Sequence, residues 1–269
     1  MNNARSGCYN ARPISTVFTL MIRSASALVV GLSLLASGCA TVPNAKKDPR
    51  DPFERVNRVT YKFNDSVDRA VLRPVAKGYK KVTPRFVRTG VSNFFDNLGQ
   101  PTVIISDLLQ AKFKPALSDT GRFLMNTTIG IGGLLDPATA AGLDKNDEDL
   151  GQAFGKWGIG PGPYLVIPLM GFSDLRDGIG GIGEIYTNPN HYVERDAWRY
   201  SITGLGLINM RAGLLDTEQA LANTYDKYAF IRNVYLQRRE YLVTDGAASP
   251  AVDEEPLEDP EADPTPEAK

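Results

Sequence analysis

Cysteine is nearly absent from this chain of 269 residues: only Cys8 and Cys39 occur, so nothing after residue 39 can form a disulfide or offer a thiol. Histidine is scarcer still, with His191 alone. Zinc and copper sites draw on these two side chains, so a site of that kind is excluded, and no metal or other cofactor is expected. A Ser-His-Asp hydrolytic site has to be built around His191 or not at all. No GxSxG elbow exists to supply its serine. His191 stands in the loop-like TNPNHYVERD, Thr187 to Asp196, where a solvated imidazole is the ordinary reading, and no catalytic residue is assigned. Excess charge is lacking too: 30 basic residues balance 31 acidic ones, which argues against a nucleic-acid partner. Long apolar runs are missing, the best being SASALVVGLSLLA, Ser24 to Ala36, short of the roughly 20 residues that span a bilayer.

Two local patterns mimic chemistry and fail on context. GIGGIG, Gly178 to Gly183, spells GxGxxG, but the polar SDLRD leads into it where a dinucleotide fold needs a hydrophobic strand. The glycines are better suited to tight packing in a helix that starts after Ser173 and is capped by Ser173 or Asp174. Asp144, Asp147, Glu148 and Asp149 lack EF-hand spacing, and a solvated turn at a helix start accounts for them.

What is present begins with the front end. Arg23 and the apolar run after it have the basic flank and core of a secretory signal, and Met21 would give a more compact basic region as initiator than Met1. LASGCAT, Leu35 to Thr41, resembles the lipobox of bacterial lipoproteins, in which Cys39 is acylated and becomes the first mature residue. Ala36 replaces the commoner leucine there, and Ala40 stands where an aspartate favours inner-membrane retention, so the outer membrane is the expected address. Several acyl chains anchor a protein stably without crossing the bilayer. The expected organisation is a signal peptide over 1–38, an acylated cysteine and tether over 39–50, one helical domain over 51–246 and a disordered acidic, proline-rich tail over 247–269. The tail from Ser249 holds eight acids, five prolines and one lysine, which leaves the remainder mildly basic.

Within the domain, Asp51-Pro52, Thr83-Pro84, Lys114-Pro115 and Asp136-Pro137 carry helix-start chemistry. Phe53, Val56, Val59, Phe63, Val67, Ala70 and Val71 recur at helical spacing and predict a core-facing stripe. Further helices are expected at 85–98, 102–113, 116–128, 194–224 and 227–243, the last with Ile231, Val234, Tyr235, Tyr241 and Leu242 along one side. PYLVIPLM, Pro163 to Met170, is the best strand candidate, but its flanking prolines favour an extended loop. The domain reads as all-α.

Two glycine-rich, apolar stretches interrupt this pattern: Thr127 to Leu143 and Gly155 to Gly183. Buried hinges and contact with lipid suit such composition equally. The candidate channel or membrane-facing residues are Ile129, Gly130, Ile131, Gly132, Gly133, Leu134 and Leu135, with Trp157, Gly158, Gly160, Gly162, Tyr164 and Leu165. Trp157 and Tyr164 carry the amphipathic rings favoured at a membrane interface.

DPFERVNRVTYKFNDSVDRAVLRPVAKGY from Asp51, GVSNFFDNLGQPTVIISDLLQ from Gly90, RFLMNTTIGIGGLLDPA from Arg122 and FGKWGIGPGPYLVIPLMGFSDLRD from Phe154 together resemble the MlaA family, also called VacJ lipoproteins. Phe172 departs from the proline that many members carry after the glycine. The resemblance implies an all-helical, ring-like lipoprotein on the periplasmic face of the outer membrane, beside trimeric porins. It implies a non-enzymatic role: misplaced phospholipids leave the outer leaflet through an amphipathic channel and pass to a soluble periplasmic carrier of the Mla system, which maintains lipid asymmetry. The rival expectation is a scaffolding lipoprotein that binds porins and passes no lipid.

Overall fold

A computed structural model of the chain describes residues 48–218 and 224–247. The signal segment, Cys39 and the tail beyond residue 247 lie outside the described residues. The architecture is all-α with one small addition, an antiparallel pair of strands. Helix α1, Glu54–Val67, runs through a π-helical turn, Asp68–Leu72, into α2, Arg73–Val82. There follow α3, Arg85–Leu109, α4, Phe113–Thr128, the single turn α5, Pro137–Ala140, and α6, Leu150–Lys156. Strands β1, Tyr164–Ile167, and β2, Gly171–Asp174, precede α7, Leu175–Thr187, α8, Asp196–Gly213, and α9, Lys227–Val243.

Three sequence expectations need correction. The helices expected at 85–98 and 102–113 are one helix, α3, which runs through Pro101. An interior proline costs about 3 kcal/mol, and tertiary contacts on both sides of it offset that cost: Asn97 Nδ2 donates to Thr127 Oγ1 (2.9 Å), and the Thr102 and Thr187 hydroxyls meet at 2.5 Å. PYLVIPLM is not a loop, because Pro163 and Pro168 lie just outside the four ladder residues of β1. Tyr164 to Ile167 pair with Asp174 to Gly171, and Leu169 takes a positive φ of 62° in the three-residue connection.

The third correction concerns the stripe on α1. Phe53, Val56, Val59, Phe63, Ala70 and Val71 are exposed, and the buried residue of α1 is Asn57. The reason is visible in the bonds of two asparagines. Asn57 donates to Tyr164 O (2.9 Å) and accepts from Val166 N (2.9 Å). Asn64, seven residues on, donates to Ile167 O (3.0 Å) and accepts from Leu169 N (2.8 Å). Seven helical residues rise about 10.5 Å and three strand residues about 10 Å, so the two amides meet the free edge of β1 in register. The polar face of α1 is thereby drawn inward, and the apolar face is left outside.

Helix α9 closes the same arrangement. Asp226 caps it by accepting from Ala229 N (3.1 Å) and receives two hydrogen bonds from Arg58. Tyr228 donates to Asp51, Arg232 reaches Asp51 at 3.2 Å, and Arg239 pairs with Asp149 and Asp177. Val234 and Tyr241 of the expected apolar side are exposed, again because charged and aromatic residues take the inner face. The apolar centre is correspondingly small: Tyr164, Val166 and Tyr228, with Tyr61, Tyr235 and Leu236 against it. Among the described residues, fifteen buried residues are polar or charged and nine are apolar, the reverse of an ordinary soluble interior.

Candidate functional site

The first glycine-rich segment leaves α4 in a tight left-handed turn. Gly132 N and Gly133 N donate back to Thr127 O (2.9 Å) and Asn126 O (2.8 Å), and Leu135 N to Gly130 O (2.9 Å). Ile131, Gly132 and Gly133 have φ of 56°, 67° and 90°, which strains only the β-branched member. A Cβ on Gly130 would lie 2.4 Å from Asn126 O, and one on Gly133 would lie 2.5 Å from Asn97 Cβ, so both positions need glycine. The turn rests on polar groups. Arg122 forks onto Asp136 (3.1 and 3.2 Å) and reaches Leu143 O, while Asn126 bonds Asp136 Oδ1 (3.0 Å) and accepts from Ala138 N (3.1 Å). Burial pushes the Asp136 carboxyl up, but the Thr139 hydrogen bonds, Asn126 and the Arg122 charge outweigh it and hold the pKa at about 2. Above this base Ile129, Ile131, Leu134 and Leu135 are all exposed.

The second segment follows α6. Gly158, at φ 86°, ends the helix, with Ile159 N bonding Phe154 O (3.0 Å). Trp157 is 55% exposed, yet its indole N–H donates to Leu109 O (2.9 Å), satisfying a carbonyl at the end of α3. Gly160 stands in open space, and Gly162, at φ 69°, packs against Leu175. Tyr164 departs from expectation: it is fully buried in the aromatic centre, so its ring meets no membrane interface. Leu165, next to it, is half-buried. The two segments do not converge. One touches α3 at Asn93 and Asn97 and the other at Leu109, separated by roughly 18–24 Å of helix.

Between them runs a feature the sequence reading passed over, a polar seam where α3 packs on α4. Asn97, Gln100, Ser106 and Asp107 of α3 are buried, as are Asp119, Arg122 and Asn126 of α4. Asn97, Gln100 and Asp107 stand three and seven residues apart and Asp119, Arg122 and Asn126 three and four, so the signal was a polar periodicity read only for its apolar complement. Neither carboxylate oxygen of Asp107 has a hydrogen-bond partner among the described residues. Burial first, then the charges of Asp119 and Glu148, raise its pKa to about 7 against the opposing pull of Lys112.

Elsewhere the expected caps form: Asp174 accepts from Asp177 N (2.8 Å) at the start of α7, and Asp149 from Gln152 N (2.7 Å) at the start of α6. The helix α7 carries GIGGIG, and Gly180 approaches α6 so closely that a Cβ would lie 2.6 Å from Gly151 N. His191 lies edge-on to Tyr186 and Tyr192, each ring centroid at 5.2 Å.

Compared with known proteins, residues 49–242 match the family described as MlaA lipoprotein. The chain belongs to the MlaA lipoprotein family. The intermembrane phospholipid transport system lipoprotein MlaA of Escherichia coli K12 is 33% identical over 231 residues, covering 84% of this chain and 90% of that protein. The Haemophilus influenzae protein of the same name is 30% identical over 232 residues, 84% of this chain and 93% of its own. An uncharacterized protein of Rickettsia bellii is 35% identical over 202 residues, 74% of this chain and 79% of its own. A solved MlaA structure, described as the structural basis for maintenance of bacterial outer membrane lipid asymmetry, superposes with a TM-score of 0.65. It is 32% identical and covers 72% of this chain and 98% of that one. Membership thus rests on sequence and fold together.

Proposed function

We propose that this chain removes mislocalised phospholipids from the outer leaflet of the outer membrane and passes them, without a chemical step, to a soluble periplasmic carrier. A part in phospholipid transport follows from the relatives named for it. The observation that supports the finer reading is the inverted partition of side chains: a buried polar network with apolar side chains displayed on every long helix. Exposed apolar surface on this scale belongs against lipid. No helix among the described residues is long and apolar enough to cross a membrane, which fits a protein lying in one leaflet at the periplasmic face. Acyl chains on Cys39 would hold it there, and trimeric porins would flank it.

A phospholipid has a charged head and apolar tails, and carrying the head through hydrocarbon is costly. The polar seam beside the apolar crowns at Ile129–Leu135 and Trp157–Gly162 supplies both characters within one chain, which is what an amphipathic passage requires. The test is outer-leaflet phospholipid in intact cells lacking the gene, complemented with wild type or Cys39→Ala at matched protein level. Accumulation reversed by wild type alone supports transport by an anchored protein. An unchanged surface in the deletion strain supports the scaffolding alternative.

A further inference from the structure

A cavity of about 480 Å³ opens where the end of α2, the start of α3 and the end of α8 meet, well within the range of small-ligand sites. Its wall carries Lys80, Arg85, Arg88, Ser92, Asn209 and Asp216. One positive charge is already answered, because Lys80 donates to both Asp216 oxygens (2.6 and 2.7 Å). Two guanidiniums are less well answered: neither that of Arg85 nor that of Arg88 makes a hydrogen bond or a close ion pair among the described residues, although Arg88 feels the Asp216 charge already taken by Lys80. Arg88 Nε is buried without an acceptor, a costly state for a charged donor unless a ligand supplies one. Asn209 is fixed between the Tyr79 hydroxyl, which donates to it at 3.0 Å, and Ser92, to which it donates at 2.9 Å. Ser92 therefore serves as acceptor on one side and keeps its own proton for a ligand. The pocket also lies at the first turn of the 25-residue α3, where the helix dipole is positive and Pro84 gives no side-chain cap.

The site is built for an anion, and forked guanidiniums suit phosphate. Its rim is apolar. Phe86, next to Arg85, is 77% exposed, Val82 at the end of α2 is 78% exposed, and Met210 and Leu214 are exposed beside Asn209 and Gly213. We propose that this pocket binds the phosphate of a phospholipid headgroup through Arg85 and Arg88, with the acyl chains lying outward over Val82, Phe86 and Met210. The proposal rests on the transport reading above and gives it a headgroup site.

The test is calorimetric titration of the full mature protein in maltoside micelles with three probes: dihexanoylphosphatidylglycerol, dihexanoylglycerol and inorganic phosphate. The expected result is saturable binding of the phospholipid, none of the diacylglycerol and at least tenfold weaker binding of phosphate. Arg88→Gln and the rim variant Arg85→Gln should each weaken phospholipid binding about tenfold, and Arg88→Lys less. Should Arg88→Gln fail to fold, Arg85→Gln on the exposed rim decides. Unaltered phospholipid affinity in Arg85→Gln overturns the proposal, and phosphate binding as tightly as phospholipid reassigns the pocket to the free anion. In cells, an Arg85→Gln/Arg88→Gln protein that restores surface lipid as wild type does sinks the site alone, whereas failure of wild type itself sinks the transport reading.

Discussion

Asp107 is held against its solution chemistry, and its consequence is a measurable pH dependence. A carboxyl whose folded pKa is raised to about 7 favours the protonated fold, so stability is lost as pH climbs from the unfolded value near 4 through 7. Asp107→Asn imitates the neutral acid and should raise the melting temperature at pH 8 while changing little at pH 4. A gain on the order of 1–2 kcal/mol, about 2–8 °C for a domain of this size, is expected; melting curves of equal slope with pH in both proteins would refute it. Arg122 acts in the opposite sense. Its guanidinium is buried on Asp136, Leu143 O and Thr139 Oγ1, so Arg122→Ala removes the donor from three acceptors and should cost about 3 kcal/mol. A denaturant midpoint matching wild type would show that the pair contributes nothing.

At the scale of elements, the glycines of the two loops divide by what surrounds them. Gly130 faces backbone oxygens at 2.4 and 2.5 Å that have nowhere to move, whereas Gly160 has open space and an ordinary φ. Gly130→Ala is therefore expected to lose soluble, folded yield, and Gly160→Ala to melt within about 0.5 kcal/mol of wild type. Proteolysis of the purified pair checks this, and equal resistance would remove the distinction. The helix starts at 85 and 137 were legible from Thr83-Pro84 and Asp136-Pro137, because those signals act over three or four neighbours. Continuation of α3 through Pro101 was not, since what outweighs the proline is contact with Thr127 and Thr187, distant in sequence. The hairpin likewise depends on Asn57 and Asn64, more than a hundred residues before the backbone they satisfy.

At the scale of the whole molecule, the display of apolar side chains predicts separable effects on folding and on membrane affinity. Val59 and Phe63 are half exposed on α1, so Val59→Ser and Phe63→Ser should leave melting nearly unchanged. Removing roughly 1 kcal/mol of lipid contact each, about fivefold, they should lower flotation of unacylated Cys39→Ala protein with phospholipid vesicles. Flotation equal to the parent would mean that this face does not meet lipid. By itself the sequence determined the helical class, the amphipathic period of each helix, the glycine-rich turns and the family, since all of these reside in local spacing and composition. Only the tertiary structure decided which side of each helix faces inward. A period of 3.6 residues separates two faces without saying which solvent each will meet, and that was settled by distant polar partners: Asn57 on β1, Arg232 on Asp51 and Arg122 on Asp136. The pocket formed by α2, α3 and α8 arose the same way, by bringing Arg88 beside Asn209 across more than a hundred residues of chain.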